Sequence, residues 1–139
     1  MDDASGAARR IIELLGISKD SLVQEIGWDD DSNTSVSEAV ETFLGEDLLD
    51  EDTDEVVDAV LYWYRDEDGD LVDHLVDITR PLSDEGFVWL LTPAAGTHGS
   101  VDAGTIAESA QLAGLTGTST ARLGDWQGTC LVPRGVKRQ

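Results

Sequence analysis

A nearly continuous run of apolar and aromatic residues decides the fold, and it reads Val56-Val57-Asp58-Ala59-Val60-Leu61-Tyr62-Trp63-Tyr64. Such a run is typical of a strand that is covered on both faces, as in a parallel sheet between helices. A second run of the same kind reads Phe87-Val88-Trp89-Leu90-Leu91-Thr92 and stops at Pro93. The sequence therefore predicts two central strands that are buried on both faces.

Apolar residues at helical spacing occur before, between and after these two strands. They predict helices over residues 7–15, 35–44, 70–78 and 103–113, three of which end at Gly16, Gly45 or Gly114. Ser35 lies three residues before Glu38, which is the spacing of a capping box and predicts that the second helix starts there. Shorter strands are predicted at residues 22–28, 47–49, 116–123 and 127–132, and a loop at 82–86.

Strands that alternate with helices predict an α/β fold, which we expect to be a small Rossmann-like three-layer sandwich with a mostly parallel sheet. Too little chain separates the last two strands for a parallel crossover, so we expect an antiparallel C-terminal edge strand. In this interpretation residues 1–20 form an N-terminal helical segment. Residues 21–133 form the single Rossmann-like domain, and residues 134–139 form a basic C-terminal tail.

The chain is strongly acidic, with 9 Lys+Arg against 29 Asp+Glu and a formal net charge of −20. A field of this sign repels phosphate, so we expect no binding to DNA or RNA. The apolar stretches are short and the first residues are acidic, so we expect neither membrane insertion nor secretion. The single cysteine, Cys130, cannot form an internal disulfide, which favours a cytoplasmic location.

The acids are concentrated between residues 20 and 79, where 21 of the 29 occur with only one basic residue, Arg65. The densest part is the acidic segment, residues 46–58. A segment of this kind is either a solvated face or a docking surface for a basic protein partner, and composition leaves both open. The candidate docking residues are Asp50, Glu51, Asp52, Asp54 and Glu55.

Ligands of open α/β sheets bind beyond the carboxyl ends of the strands. The candidate ligand-binding residues in those loops are Gly27, Trp28, Asp29, Thr92, Gly96 and His98. We assign no catalytic residue and no metal site, because His74 and His98 are far apart in sequence and Cys130 is distant from both. The four tryptophans are predicted to fill the core or an interface.

The stretch Val23-Gln24-Glu25-Ile26-Gly27 resembles the first strand and turn of class I S-adenosylmethionine-dependent methyltransferases. In that family an acidic residue closes the strand and a Gly-x-Gly turn approaches the cofactor. Residues 58–63 and 82–91 are similar to later strands of the same fold. Here Trp28 and Asp29-Asp30-Asp31 replace the second glycine and its neighbours. Their bulk and negative charge oppose the cofactor, so we expect no cofactor and no S-adenosylmethionine binding.

A closer resemblance is to the domain of unknown function 3052 family of high-GC Gram-positive bacteria. It is carried by residues 23–29, 46–52, 66–73, 89–93, 106–108 and 124–126, which together span the chain beyond the first helix. Ala94-Ala95 stands where such proteins commonly have a Lys-Thr pair. The resemblance implies a fold and a cytoplasmic setting, and it supplies no activity.

Two functions remain open. The sequence favours a non-catalytic interaction or regulatory module, built on a degenerate methyltransferase-like scaffold with an acidic docking surface. The alternative is a divergent small-molecule or nucleotide-binding enzyme, such as an S-adenosylmethionine-dependent methyltransferase. The altered glycine turn favours the module over the enzyme, and the oligomeric state is left open.

Overall fold

The structure is a computed structural model that describes residues 3–18, 20–29, 32–50, 55–65, 69–94, 96 and 99–133. Helices and strands alternate along most of the chain. In order they are α1 (Asp3–Leu15), β1 (Val23–Ile26), α2 (Thr34–Leu44), β2 (Val57–Trp63), α3 (Leu71–Thr79), β3 (Leu82–Pro93), α4 (Ala103–Leu112), β4 (Leu115–Leu123) and β5 (Trp126–Pro133).

The strands form one sheet in the order β1-β2-β3-β5-β4. β1, β2 and β3 are parallel, whereas β5 runs antiparallel to both β3 and β4. The strand predicted at 47–49 is reduced to an isolated parallel bridge between Leu49 and Gln24 of β1. The predicted Rossmann-like α/β fold with an antiparallel pair at one edge is confirmed. β5 lies between β3 and β4, so β4 is the outermost strand.

Helices cover both faces of the sheet, and each face has its own hydrophobic cluster. On one face α1 and α2 pack against the central strands through Ile12, Leu15, Val36, Val40, Leu61 and Trp63. On the other face α3 and α4 pack through Leu75, Ile106, Val60 and Leu90. The two predicted central strands are therefore buried on both faces. The tail at 134–139 lies outside the described residues.

The predicted helices are present, but the capping box at Ser35 is wrong. Asn33 is the N-cap of α2, and its side chain accepts a hydrogen bond from the backbone N–H of Ser35 at 3.0 Å. The Asn33 amide also donates to the carbonyl of Leu123 at 3.1 Å, which anchors the start of the helix to β4. An N-cap before Thr34 satisfies the first free N–H groups of the helix, so Ser35 lies inside it.

The loop predicted at 82–86 is also wrong, because β3 begins at Leu82. Val57 pairs with Leu82 and Ala59 with Phe87, so the register shifts between these pairs and β3 absorbs extra residues without leaving the sheet. A Cβ on Gly86 would lie 2.6 Å from the Leu82 side chain and 3.1 Å from the carbonyl of Asp58. The glycine allows the strand to fold closely against itself and β2.

Candidate functional site

The order of the strands places a crevice at the carboxyl ends of β1 and β2. From β1 the chain passes to Leu49 on one side of that strand and then returns to β2 on the other side. Such a reversal is where open α/β sheets bind ligands. We call this opening the switch-point crevice.

Gly27 joins the two strand ends in the switch-point crevice. It follows β1 directly and has a φ of +80°, a left-handed conformation that favours glycine. A Cβ at this position would overlap the carbonyl oxygen of Trp63 at the end of β2. Only glycine therefore lets the two strand ends approach this closely.

Arg65 occupies the switch-point crevice and is only 9% exposed. Its Nη1 donates to the carbonyl of Gly27 at 2.8 Å and to the carbonyl of Trp63 at 3.2 Å. Its Nη2 donates to Ser32 Oγ at 3.0 Å. The guanidinium carbon lies 5.1 Å from the ring centroid of Trp126, within the range of a cation–π interaction. The crevice thus holds a buried cation that the protein itself supplies.

The groups around Arg65 come from several elements. Trp126, the first residue of β5, packs edge-on against Trp63 with ring centroids 4.9 Å apart. Ser32 is held by the turn after β1, since its N–H donates to the Asp29 carbonyl at 2.9 Å and its hydroxyl accepts from the Asp29 N–H at 3.0 Å. Gly99 lies over the Arg65 stem, because a Cβ there would be 3.5 Å from Arg65 Cβ. The ends of β1, β2 and β5 therefore enclose one side chain.

The carboxylate of Glu25, the acidic residue of β1, accepts hydrogen bonds from other side chains of the protein. Its Oε2 accepts a hydrogen bond from Trp63 Nε1 at 2.9 Å and another from the hydroxyl of Ser37. These bonds tie α2 to the end of β2. The carboxylate is thereby directed to the protein interior.

The structure brings only part of the predicted ligand site together. Gly27 contacts Arg65 directly, and Asp29 acts through Ser32. Thr92 is 1% exposed, and its hydroxyl donates to the Gln127 carbonyl at 3.4 Å. Gly96 is exposed, and His98 lies outside the described residues.

Trp28 differs from the other three tryptophans in its exposure. Trp63, Trp89 and Trp126 are buried as expected, but Trp28 is 45% exposed. It follows Gly27 at the rim of the switch-point crevice. Of the two predicted roles, core or interface, the exposed position of Trp28 leaves only the interface, which stays a prediction.

The predicted docking residues are described only at the two ends of their stretch. Asp50 and Glu55 are exposed, whereas Glu51, Asp52 and Asp54 lie outside the described residues. The carbonyl of Asp50 accepts a hydrogen bond from Gln24 Nε2 at 3.1 Å. Within the described residues, the acidic segment therefore lies beside β1 at Asp50.

Sequence reasoning missed Arg65, Ser32 and Trp126 as members of the site. A signal for Arg65 was present, because it is the only basic residue between residues 20 and 79. No group of three or more His, Cys, Asp or Glu side chains in the described ranges is placed to hold a metal ion. In the same ranges, the helices are too short or too polar to cross a membrane.

Comparison with known families confirms the resemblance expected from the residues. The family described as "Protein of unknown function (DUF3052)" matches residues 12–135. Relatives in Mycobacterium tuberculosis and Mycobacterium bovis, each described as an uncharacterized protein, are 50% identical over 131 residues. The match covers 94% of this chain and 80% of each relative.

Methyltransferases are among the solved structures with a similar fold. The CcbJ methyltransferase from Streptomyces caelestis has a TM-score of 0.63 at 8% identity, covering 91% of this chain and 89% of that chain. The ribosomal protein L11 methylase from Lactobacillus delbrueckii subsp. bulgaricus has a TM-score of 0.56 at 15% identity, covering 96% and 79%. These likenesses confirm the methyltransferase-like Rossmann layout of the chain.

Proposed function

The chain belongs to the DUF3052 family, and we propose that it is a non-catalytic interaction module on a methyltransferase-like scaffold. The observation that carries the proposal is Arg65 in the switch-point crevice. A ligand that entered this crevice would have to displace a buried guanidinium from two carbonyl oxygens and a hydroxyl.

Displacing Arg65 is costly for two physical reasons. A hydrogen bond from a charged group contributes about 1.5–3 kcal/mol, more than a neutral one. The carbonyls of Gly27 and Trp63 would also need new donors, because an unpaired polar group away from water is unfavourable. The bulk of Trp28 and the acids of the following turn add to this, since they stand where a second glycine would admit a cofactor.

The partner that we propose is a basic protein segment. Trp28 and Asp29 are exposed after β1, and Asp50 is exposed beside the same strand through its bond to Gln24. An exposed indole next to carboxylates suits a Lys or Arg side chain, which gains both ion pairing and a cation–π contact. The docking surface in this proposal therefore comprises the rim of the crevice and the start of the acidic stretch at residues 50–55.

Affinity purification from the native cell tests the docking proposal. The parent is compared with the triple variant Asp50→Asn, Glu51→Gln, Asp52→Asn, and quantitative mass spectrometry measures the recovery of each protein. We expect partners rich in Lys and Arg that are lost from the variant and also lost when salt is added during washing. Recovery that is equal for parent and variant would reject the acidic surface as the docking site.

The alternative function is a divergent S-adenosylmethionine-dependent methyltransferase, and the crevice itself favours it by its position in the fold. Calorimetry with S-adenosylmethionine and S-adenosylhomocysteine separates the two functions. We expect no heat of binding in the physiological concentration range. A saturable micromolar isotherm that responds to Arg65→Ala would overturn the module and establish a ligand-binding crevice.

A further inference from the structure

A second opening lies on the other face of the sheet, between α4 and the hairpin of β4 and β5. We call it the α4 groove. Its volume is about 350 Å³, within the roughly 300–1,000 Å³ that is usual for small-molecule sites. It is separate from the switch-point crevice, because Trp126 and Gln127 are successive residues of β5 and point to opposite faces.

Small residues on both walls create the α4 groove. On α4, Ile106 and Ala110 are buried in the core, whereas Ala103 and Ala107 line the groove at a spacing of four residues. On the sheet, Gly117 has no side chain to cover the floor. A Cβ at Gly117 would meet its nearest neighbours at 3.9 Å, which is ordinary van der Waals contact. The groove is therefore open because Ala103, Ala107 and Gly117 carry small side chains or none, although larger ones would fit there.

A β-bulge lies next to this glycine. Gly117 pairs with Leu131 and Ser119 with Cys130, so Thr118 is the extra residue of β4. The Thr118 hydroxyl donates to the carbonyl of Cys130 at 3.4 Å, which fixes the bulge. Bulges change the direction of neighbouring side chains and are frequent beside binding sites.

Uncharged polar side chains line the floor of the α4 groove. Thr120 lies opposite Thr129 on β5, and Gln127 lies two residues before Thr129 on the same face. In the part of the chain that the structure describes, neither the hydroxyls of these threonines nor the amide of Gln127 forms a hydrogen bond with another protein group. Hydroxyls and amides both donate and accept, so these groups can pair with a hydroxyl, carbonyl or amide of a ligand.

The remaining lining determines the rest of the ligand. Ile106, Leu115 and Leu131 supply an apolar wall, and the described lining includes neither an ionised side chain nor an aromatic ring. An ionised ligand group would lose water here without gaining a charged partner from the lining itself. A flat aromatic ligand would have no ring on which to stack. We propose that the α4 groove binds an uncharged amphipathic small molecule, with a saturated hydrocarbon body and a hydroxyl, carbonyl or amide group.

Three probes of nearly equal shape and different charge test the proposal. They are cyclohexanecarboxamide, cyclohexanecarboxylate and cyclohexylmethylammonium, each titrated into isotopically labelled protein while NMR shifts are followed. We expect the carboxamide to shift the signals of Ala107, Thr120 and Thr129, and to bind there about tenfold more tightly than either charged probe. The carboxylate is a demanding comparison, because the cation of Arg122 lies on β4 opposite Gln127 and donates to the Gly124 carbonyl.

Two variants locate the binding. Gly117→Leu places a side chain in the α4 groove. Ser119→Leu places the same side chain at an exposed position of β4 that does not line the groove. We expect Gly117→Leu to abolish the carboxamide shifts and Ser119→Leu to retain them, with both variants unfolding as the parent does. The proposal is overturned if the carboxamide shifts none of the groove signals, if the shifts survive Gly117→Leu, or if the carboxylate binds there as tightly.

Discussion

The switch-point crevice and the α4 groove are openings on the same sheet, yet their polar groups are used differently. In the crevice, the Arg65 guanidinium is bonded to carbonyls and a hydroxyl of the protein, and Gly27 is forced into close contact. In the groove, the hydroxyls of Thr120 and Thr129 form no such bonds within the described residues, and Gly117 has space around it. Position in the fold therefore points to the crevice as the ligand site, whereas unpaired polar groups point to the groove.

The largest expected effect concerns the cores beneath the two openings. Leu61 belongs to the cluster on the crevice face and Leu90 to the cluster on the groove face, and both are fully buried. We expect Leu61→Ala and Leu90→Ala each to lower the free energy of unfolding by about 2–5 kcal/mol, through lost transfer energy and a new cavity. Denaturant titration measures both.

Leu112 provides the matched control, since it is 68% exposed on α4. Leu112→Ala should change the unfolding free energy by less than about 0.5 kcal/mol. If Leu61→Ala or Leu90→Ala unfolds at the parent's denaturant midpoint, the packing of that leucine in the core does not contribute to the free energy of unfolding.

Two glycine substitutions compare the openings directly. Gly27→Ala should cost more than about 2 kcal/mol, because the left-handed conformation costs about 1–2 kcal/mol for any other residue and the new Cβ also overlaps the Trp63 carbonyl. Gly117→Ala should stay within about 0.5 kcal/mol, as its Cβ has ordinary contacts. Thermal and denaturant unfolding of both variants give the comparison, and equal effects would remove the distinction between a tight crevice and an open groove.

Arg65→Lys tests whether the geometry of the guanidinium matters beyond its charge. Lysine keeps the cation but lacks the planar fork that reaches Gly27 and Ser32 together, so we expect a loss of about 1–3 kcal/mol in the free energy of unfolding. Arg80→Lys is the control, because Arg80 is an exposed residue 3.8 Å from Asp77 and should change stability by less than about 0.5 kcal/mol. Equal stability of the two variants would contradict a structural role for the fork.

The smallest expected effect concerns charge: the docking surface proposed at the crevice is acidic, whereas the lining of the α4 groove is uncharged. Five acids follow closely in sequence at residues 50–55, so their mutual repulsion opposes folding. Salt relieves this repulsion as the Debye length falls from about 10 Å at 0.1 M to 3 Å at 1 M. The triple variant Asp50→Asn, Glu51→Gln, Asp52→Asn should therefore gain less stability from salt than the parent does, by under about 1 kcal/mol. Unfolding midpoints at both salt concentrations measure this, and identical salt dependence would reject the repulsion.

The sequence predicts the central sheet well, because its strands are long apolar runs that only a doubly covered sheet can bury. The start of β3 was not predictable in the same way. Leu82 joins the sheet through a register shift and the close approach allowed at Gly86, and both depend on β2 as well as on β3. Asn33 caps α2 by accepting from the Ser35 N–H, and its amide also donates to the Leu123 carbonyl. That second bond is tertiary, so local spacing does not reveal it.

The location of the candidate site was predictable from the sequence, but the residues that fill it were not. Strand order predicts that Gly27 stands at the switch-point crevice. That Arg65 turns back into it depends on carbonyls from two strand ends and on a hydroxyl from the turn at Ser32. The α4 groove had no sequence signal, because Ala103 and Gly117 become a cavity only when a helix and a hairpin are packed together.

The bulge at Thr118 has a consequence for solubility during folding. An outer strand that is long and regular is a template on which other chains can add, and this leads to aggregation. Thr118 interrupts the regular pairing of β4. On the opposite side of the sheet, the isolated bridge at Leu49 is followed by the exposed Asp50. One edge of the sheet is thus distorted by a bulge and the other carries a charge. Both features oppose the pairing of a strand from another chain with that edge.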